Sequence, residues 1–207
     1  MPASQSVVFI DLDTQVDLLA TEGKLSLKGA ENIIGNLHRL TEFAVHHGCP
    51  IISGVQAFPN EEAVPSGFAP HCLAHSPGAA KLPETLTDDV LVIANQENNQ
   101  TIGYDFQLVL EHQGFDIFQN VNAELVFASI PEKNCVIFGV PTELTVKAAV
   151  VRLRELGYSI RVVRDAILPL QAAEEDAALS EMAINGAKFV DTDTLLEQLS
   201  SRTAGGA

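Results

Sequence analysis

No basic run occurs anywhere in the 207 residues, and acidic side chains outnumber basic ones 27 to 12, for a formal charge of −15. Such a chain has nothing with which to track a phosphate backbone, so nucleic acid is not expected as a partner. No apolar run approaches the roughly 18 residues of a membrane-spanning helix, and the leading MPASQS carries neither the charged start nor the apolar centre of an export signal. Neither membrane nor secretion is expected, and a cytoplasmic location is. Cysteine is scarce: Cys49, Cys72 and Cys135 are an odd set without CxxC spacing, which points to reduced thiols rather than a disulfide framework. Cys135, inside an apolar strand, is expected to be a small core residue. There is no internal repeat or low-complexity linker. With 46% apolar and 19% charged residues, positions 1–207 are expected to form one domain around a substantial core.

What is present is organised around Cys135 to Ile167. Cys135 to Phe138 is a short apolar run broken by Gly139. Val146, Ala149, Val150, Leu153 and Leu156 then recur at helical spacing until Gly157, and Ile160, Val162 and Val163 read as a second strand. A β-α-β unit of this kind lays its strands parallel and opens its first loop at their carboxyl ends, where ligands usually bind. The residue at the head of the helix is Thr145.

The same alternation runs through the rest of the chain. Val7 to Leu12 reads as a buried strand, Ala30 to His47 as a helix ended by Gly48, Pro50 to Gly54 as a strand and Asp89 to Ala94 as another. Asp11 interrupts the first strand and reads as an edge or surface carboxylate; Asp17 reads as a loop brace. The stretch from Val55 to Leu86, punctuated by Pro59, Pro65, Pro70, Pro77 and Pro83, reads as a long loop over the sheet edge. Gln107 to Glu111 and Asn122 to Ser129 read as short helices, Glu174 to Asn185 as a helix, Lys188 to Val190 as a strand, Thr192 to Leu199 as a last helix and Arg202 to Ala207 as a frayed tail. The expected class is α/β, a three-layer α/β/α arrangement with a mainly parallel, doubly wound sheet.

With the strand Asp, the dipeptide His71-Cys72, and GVPTE before a helix, all in order, the chain resembles the isochorismatase-like cysteine hydrolases, which include nicotinamidases. The likeness spans nearly the whole length. In that family the first Asp of a D-x-Q-x-D pattern is the general base, and Asp13 of Asp13-Thr14-Gln15-Val16-Asp17 matches it. A Lys just before Q-x-F-D-x-F is matched by His112, ahead of Gln113 and Phe115. The nucleophilic Cys of G-V-x-T-[DE]-x-C-V is matched by Thr145. The resemblance further implies that Gln15, Phe58, His71, Val140, Pro141 and Leu144 line the substrate pocket. The loop histidine and cysteine are kept, with His75 and Ser76 where Gly-Thr is usual.

Metal-binding nicotinamidases also carry D-x-H after the second strand, and Gln56 and Phe58 fall on those positions. With His71 the one imidazole left of that set, too few N or O ligands remain for a divalent ion, so no metal and no cofactor is expected. The family places a cis peptide after the Val of GVxT. A non-proline cis bond costs about 2.5–4 kcal/mol and a prolyl one roughly 0.5–1 kcal/mol, so Pro141 suits a cis Val140–Pro141 bond.

The family chemistry needs a thiolate, and threonine supplies a far weaker acid with a methyl group in the attack path. Thr145 therefore reads first as a hydroxyl capping its helix, and second as a nucleophile. His112 is shorter than Lys and largely neutral near pH 7 unless a carboxylate such as Asp13 pairs with it. His71 reads as a satisfied loop histidine and Phe58 as packing. Three functions stay open. The first is a pseudoenzyme, keeping the hydrolase fold for a small-molecule ligand, regulation or assembly. The second is a Cys-independent hydrolase of the isochorismatase type with Asp13 as general acid, although no cation to receive an anionic substrate is evident near the motifs. The third is an amide hydrolase using Thr145 or a displaced Cys72. A surviving deep pocket with Asp13 and His112 within about 3 Å of each other would favour chemistry, and a pocket filled by Phe58, Phe115 or Phe118 would favour the first. The resemblance also implies a homo-oligomer, dimer or tetramer.

Overall fold

The computed structural model describes residues 7–97 and 107–204. Seven strands run through it: β1 (Val8–Leu12), β2 (Ile51–Gln56), β3 (Val90–Ile93), β4 (Gln107–His112), β5 (Asn134–Gly139), β6 (Ser159–Ile167) and β7 (Lys188–Val190). They form one sheet in the order β3-β4-β2-β1-β5-β6-β7, and every neighbouring pair is parallel. The helices are α1 (Val16–Leu19), α2 (Ile34–His46), α3 (Ala123–Ser129), α4 (Lys147–Glu155), α5 (Ala172–Ile184) and α6 (Thr192–Ala204).

Period-two alternation in β1 sorts the layers. Val8, Ile10 and Leu12 face one side, where they join Val126 and Phe127 of α3, Ala149, Val150 and Leu153 of α4, and Met182 of α5. Val7 and Phe9 face the other, with Leu37, Leu40 and Ala44 of α2 and Leu195 and Leu199 of α6. All five residues of β1 are buried, as expected for a central strand covered on both faces. The strand order reverses at β1. β2, β4 and β3 build outward on one side and β5, β6 and β7 on the other, so a crevice at the carboxyl ends of β1, β2 and β5 is where such a sheet holds a ligand.

Three expectations need correction. Gln107 to Glu111 is not a helix but most of strand β4, hydrogen-bonded between β2 and β3. QLVLEH is too short for its apolar pattern to separate strand from helix, and the neighbouring strands decide. Asp11 is not at an edge: it is fully buried in the central strand. The long loop lies over the middle of the sheet rather than its edge, bonding Leu82 N–H to Thr14 O (2.8 Å) and accepting at Ala80 O from Val16 N–H (2.9 Å). Asp17 does brace it, taking the Cys72 N–H at 2.7 Å. The tail reading applies in part: α6 runs through Ala204, and 205–207 lie outside the described residues.

Candidate active site

Asp13 stands where β1 leaves the sheet. Its backbone is left-handed (φ 52°), a conformation Asp tolerates better than most residues, and its N–H still donates to Gly54 O at 2.9 Å. Beyond this point β2 has no β1 partner. The Gln15 side chain takes that place, accepting from Gln56 N–H at Oε1 and donating from Nε2 to Gln56 O, both at 2.8 Å, and to Ala79 O at 2.7 Å. Gln15 is thus committed to the backbone that fixes Gln56.

Three donors from three different segments converge on the Asp13 carboxylate. His112, at the end of β4, reaches Oδ1 with Nε2 at 2.9 Å. Gln56, at the end of β2, donates from Nε2 to Oδ2 at 2.9 Å. Thr145 donates its hydroxyl to the same Oδ2 at 2.7 Å. All four side chains are fully buried. Because a carboxylate only accepts, His112 carries its proton on Nε2, which leaves Nδ1 buried with no partner. An added Cβ at Gly54 would stand 3.2 Å from Ile117, 3.3 Å from Leu12 and 3.4 Å from His112 Nε2, so the missing side chain leaves room for the packing around the imidazole.

Thr145 arrives on a π-helical turn, Thr142–Val146, that leads into α4; Val146 N–H bonds Pro141 O across five residues at 3.1 Å. Turns of this width are often found at functional sites. The hydroxyl does not cap the helix, which corrects the first reading of Thr145: it is directed at the buried carboxyl of Asp13 instead of a backbone group. The Val140–Pro141 peptide is cis. Val140 is buried and donates its N–H to Leu12 O at 2.8 Å. Leu144 lines a cleft of about 300 Å³ with Phe68, Glu143, Lys147 and Gln171.

His71 and Phe58 lie behind Asp13. His71 Nε2 is 2.9 Å from Gln56 Oε1 and Nδ1 is 2.7 Å from Ala69 O, so both ring nitrogens are engaged. Phe58 is fully buried, edge-on to His71 at 5.3 Å between ring centroids. Phe68 bridges His71 to Phe115, whereas Phe118 stacks on Phe127 and belongs to the core of the opposite face. This set does not fit a divalent metal. Phe58 offers no donor atom, Gln56 is bound at both ends, and no cluster of three His, Cys, Asp or Glu side chains suited to an ion occurs among the described residues.

A second buried network, which the sequence reading did not find, is centred on Asp11, two residues before Asp13. Lys81 Nζ pairs with Asp11 Oδ2 and donates to Thr14 Oγ1 at 2.8 Å; both charged side chains are buried. Thr14 and Ser53 donate their hydroxyls to Asp11, at 2.8 and 3.1 Å. The cation is near the motifs but already neutralised.

Cys72 does not stand ready as a nucleophile. Burial pushes its thiol well up, and the carboxylates of Asp13 and Asp17 add to the effect. Burial likewise raises Cys49 to about 11, with Glu132 contributing, and Cys135 to about 12, against a partial offset from Arg161 and Arg154. Iodoacetamide at pH 8 is expected to leave the folded chain unmodified and to alkylate Cys49, Cys72 and Cys135 once urea unfolds it. The fold prefers the protonated thiols, so that contribution to stability is complete below the ordinary thiol value of 9.0 and is lost as pH rises through the folded values of about 11 and 12. A urea midpoint that falls steadily above pH 9 is the expected result.

An isochorismatase-domain family model matches residues 7–194. The chain belongs to the isochorismatase family. No curated protein sequence matches it significantly. Among solved structures, an isochorismatase family protein from Desulfovibrio vulgaris superposes with a TM-score of 0.75 at 16% identity, covering 95% of this chain and 99% of that one. A pyrazinamidase of Pyrococcus horikoshii in complex with zinc gives 0.73 at 19% identity, with 90% and 99% covered. N-carbamoylsarcosine amidase from Thermoplasma acidophilum gives 0.70 at 15%, with 90% and 96% covered. At these identities the superpositions establish the isochorismatase-like fold, a hydrolase fold.

Proposed function

We propose that this isochorismatase-family protein has lost thiol-dependent amide hydrolysis and acts as a pseudoenzyme that binds a small molecule. The observation that carries the reading is the Thr145 hydroxyl, fully buried and donating at 2.7 Å to Asp13 Oδ2. A thiol at this position would give its proton to Asp13 and keep a reactive sulfur; a hydroxyl is too weak an acid to do so, and the contact becomes a structural hydrogen bond. Gln56 occupies the same oxygen and His112 the other, so Asp13 has spent most of its accepting capacity inside the protein. Residues 1–207 are read as one domain from length and composition and as cytoplasmic from the sequence, and a dimer or tetramer is read on the family likeness. A second reading, Cys-independent hydrolysis with Asp13 moving the proton, is favoured by the unpartnered Nδ1 of His112, a buried group that a substrate N–H or O–H would satisfy.

The test is turnover of nicotinamide, a panel of small amides and isochorismate by the purified protein beside its Thr145→Cys/His112→Lys double variant. The natural chain is expected to be inert and the variant to gain amidase activity. Turnover by the natural chain that disappears in Asp13→Asn would overturn the proposal in favour of the second reading.

A further inference from the structure

We propose that the chain of side chains Asp13–Gln56–His71 holds one proton more than an ionised carboxylate and a neutral imidazole together carry, and that this proton balances the buried charge of the site. Ala69 O can only accept, so His71 Nδ1, 2.7 Å away, bears a hydrogen. The remaining contacts are His71 Nε2 to Gln56 Oε1 and Gln56 Nε2 to Asp13 Oδ2, each 2.9 Å. With the amide in this orientation its oxygen faces Nε2, which must then donate as well, and His71 is an imidazolium. With the amide turned over, its N–H₂ serves a neutral His71 and its oxygen faces Asp13 Oδ2, which must then carry the proton. The two forms differ only in where the proton sits and how the amide is turned; no electron moves and the sum is unchanged. An ionised Asp13 beside a neutral His71 would set two acceptors against each other in either orientation, and in a fully buried site neither could turn to water.

Among the described residues, nothing else near Asp13 supplies a compensating charge. Lys81 is spent on Asp11, and His112 meets the carboxylate through a single N–H. His71 is enclosed by Phe58 and Phe68, with ring centroids 5.3 and 6.1 Å away. Gln56 and His71 are therefore positioning residues acting through Asp13. A single proton thus makes His71 positive or Asp13 neutral. The inference does not depend on whether the site turns anything over.

The test is side-chain NMR of the isotopically labelled full chain at pH 7. Long-range ¹H–¹⁵N correlations report which His71 nitrogens are protonated, and the carboxyl carbon of Asp13 reports its state. Either a doubly protonated His71 or a neutral one beside a protonated Asp13 is expected; a neutral His71 beside an ionised Asp13 overturns the proposal. In Gln56→Leu the link is cut, and the His71 pattern is expected to revert to a single tautomer with Asp13 ionised while the methyl spectrum stays native. Retention of the extra proton in a folded Gln56→Leu variant would equally overturn the role given to Gln56. Should that variant not fold, the spectra of the natural protein decide the question alone.

Discussion

Lys81→Met will unfold at a temperature lower by on the order of 10 °C, one of the two largest effects foreseen for a single substitution. Methionine fills most of the lysine's volume, so little packing is lost. What remains is Asp11, fully buried in the central strand and deprived of its ammonium partner. Removing one member of a buried pair costs about 3–5 kcal/mol, because the other stays charged or must take up a proton inside the protein. In a chain of this size each kcal/mol moves the midpoint by roughly 2–4 °C. The hydroxyls of Thr14 and Ser53 still serve Asp11 and moderate the loss. Pairing Lys81→Met with Asp11→Leu is expected to recover most of it, since a buried ion pair replaced by apolar groups is often nearly neutral. Calorimetric scans of the single and double variants check both statements. Equal destabilisation in the two would show that lost packing of the loop, not an orphaned charge, is responsible.

Gly139→Ala will destabilise the protein by about 4 kcal/mol, from backbone strain and overpacking of roughly 1–3 kcal/mol each. Gly139 ends β5 at φ +114°, where side chains other than hydrogen are rarely found. An added Cβ would stand 2.1 Å from Leu12 O and 2.7 Å from Leu12 N. Those are backbone atoms of the central strand, in register with Gly139 and bonded to Val140 N–H, so they cannot swing aside as a side chain would. Urea denaturation gives the free energy. A loss under 1 kcal/mol would mean that β1 and β5 separate more easily than their packing implies.

Why the sequence revealed some elements and hid others follows from what each depends on. The central unit from Cys135 to Ile167 was legible because its strand, helix and turn glycine are local signals, and the D-x-Q-x-D and GVPTE segments brought the fold with them. Strand β4 was not, since six residues of QLVLEH become a strand only when β2 and β3 stand on either side. Asp13, His112 and Thr145 were found by motif and do meet, but the route of the Thr145 proton was decided by a carboxylate 132 residues away, which capping preference does not register. Lys81 was missed although a signal existed. An Asp inside an apolar central strand requires a partner, and Lys81 is the one Lys or Arg between Arg39 and Lys133. Treating Asp11 as an edge residue removed the need to look for it.

The sequence separations of the buried contacts also set a timetable for synthesis. The Asp11–Lys81 pair spans 70 positions, His112–Asp13 spans 99 and Thr145–Asp13 spans 132. As the chain emerges from its amino end, the ion pair can close before the strand that carries His112 exists, and Asp13 waits for its last donor until β5 and the turn after it have been made. A nascent chain halted before residue 145 therefore holds an incompletely satisfied carboxylate at the heart of its sheet. The site can close only once the turn that carries Thr145 has been made, well before the last strands and helices of the chain.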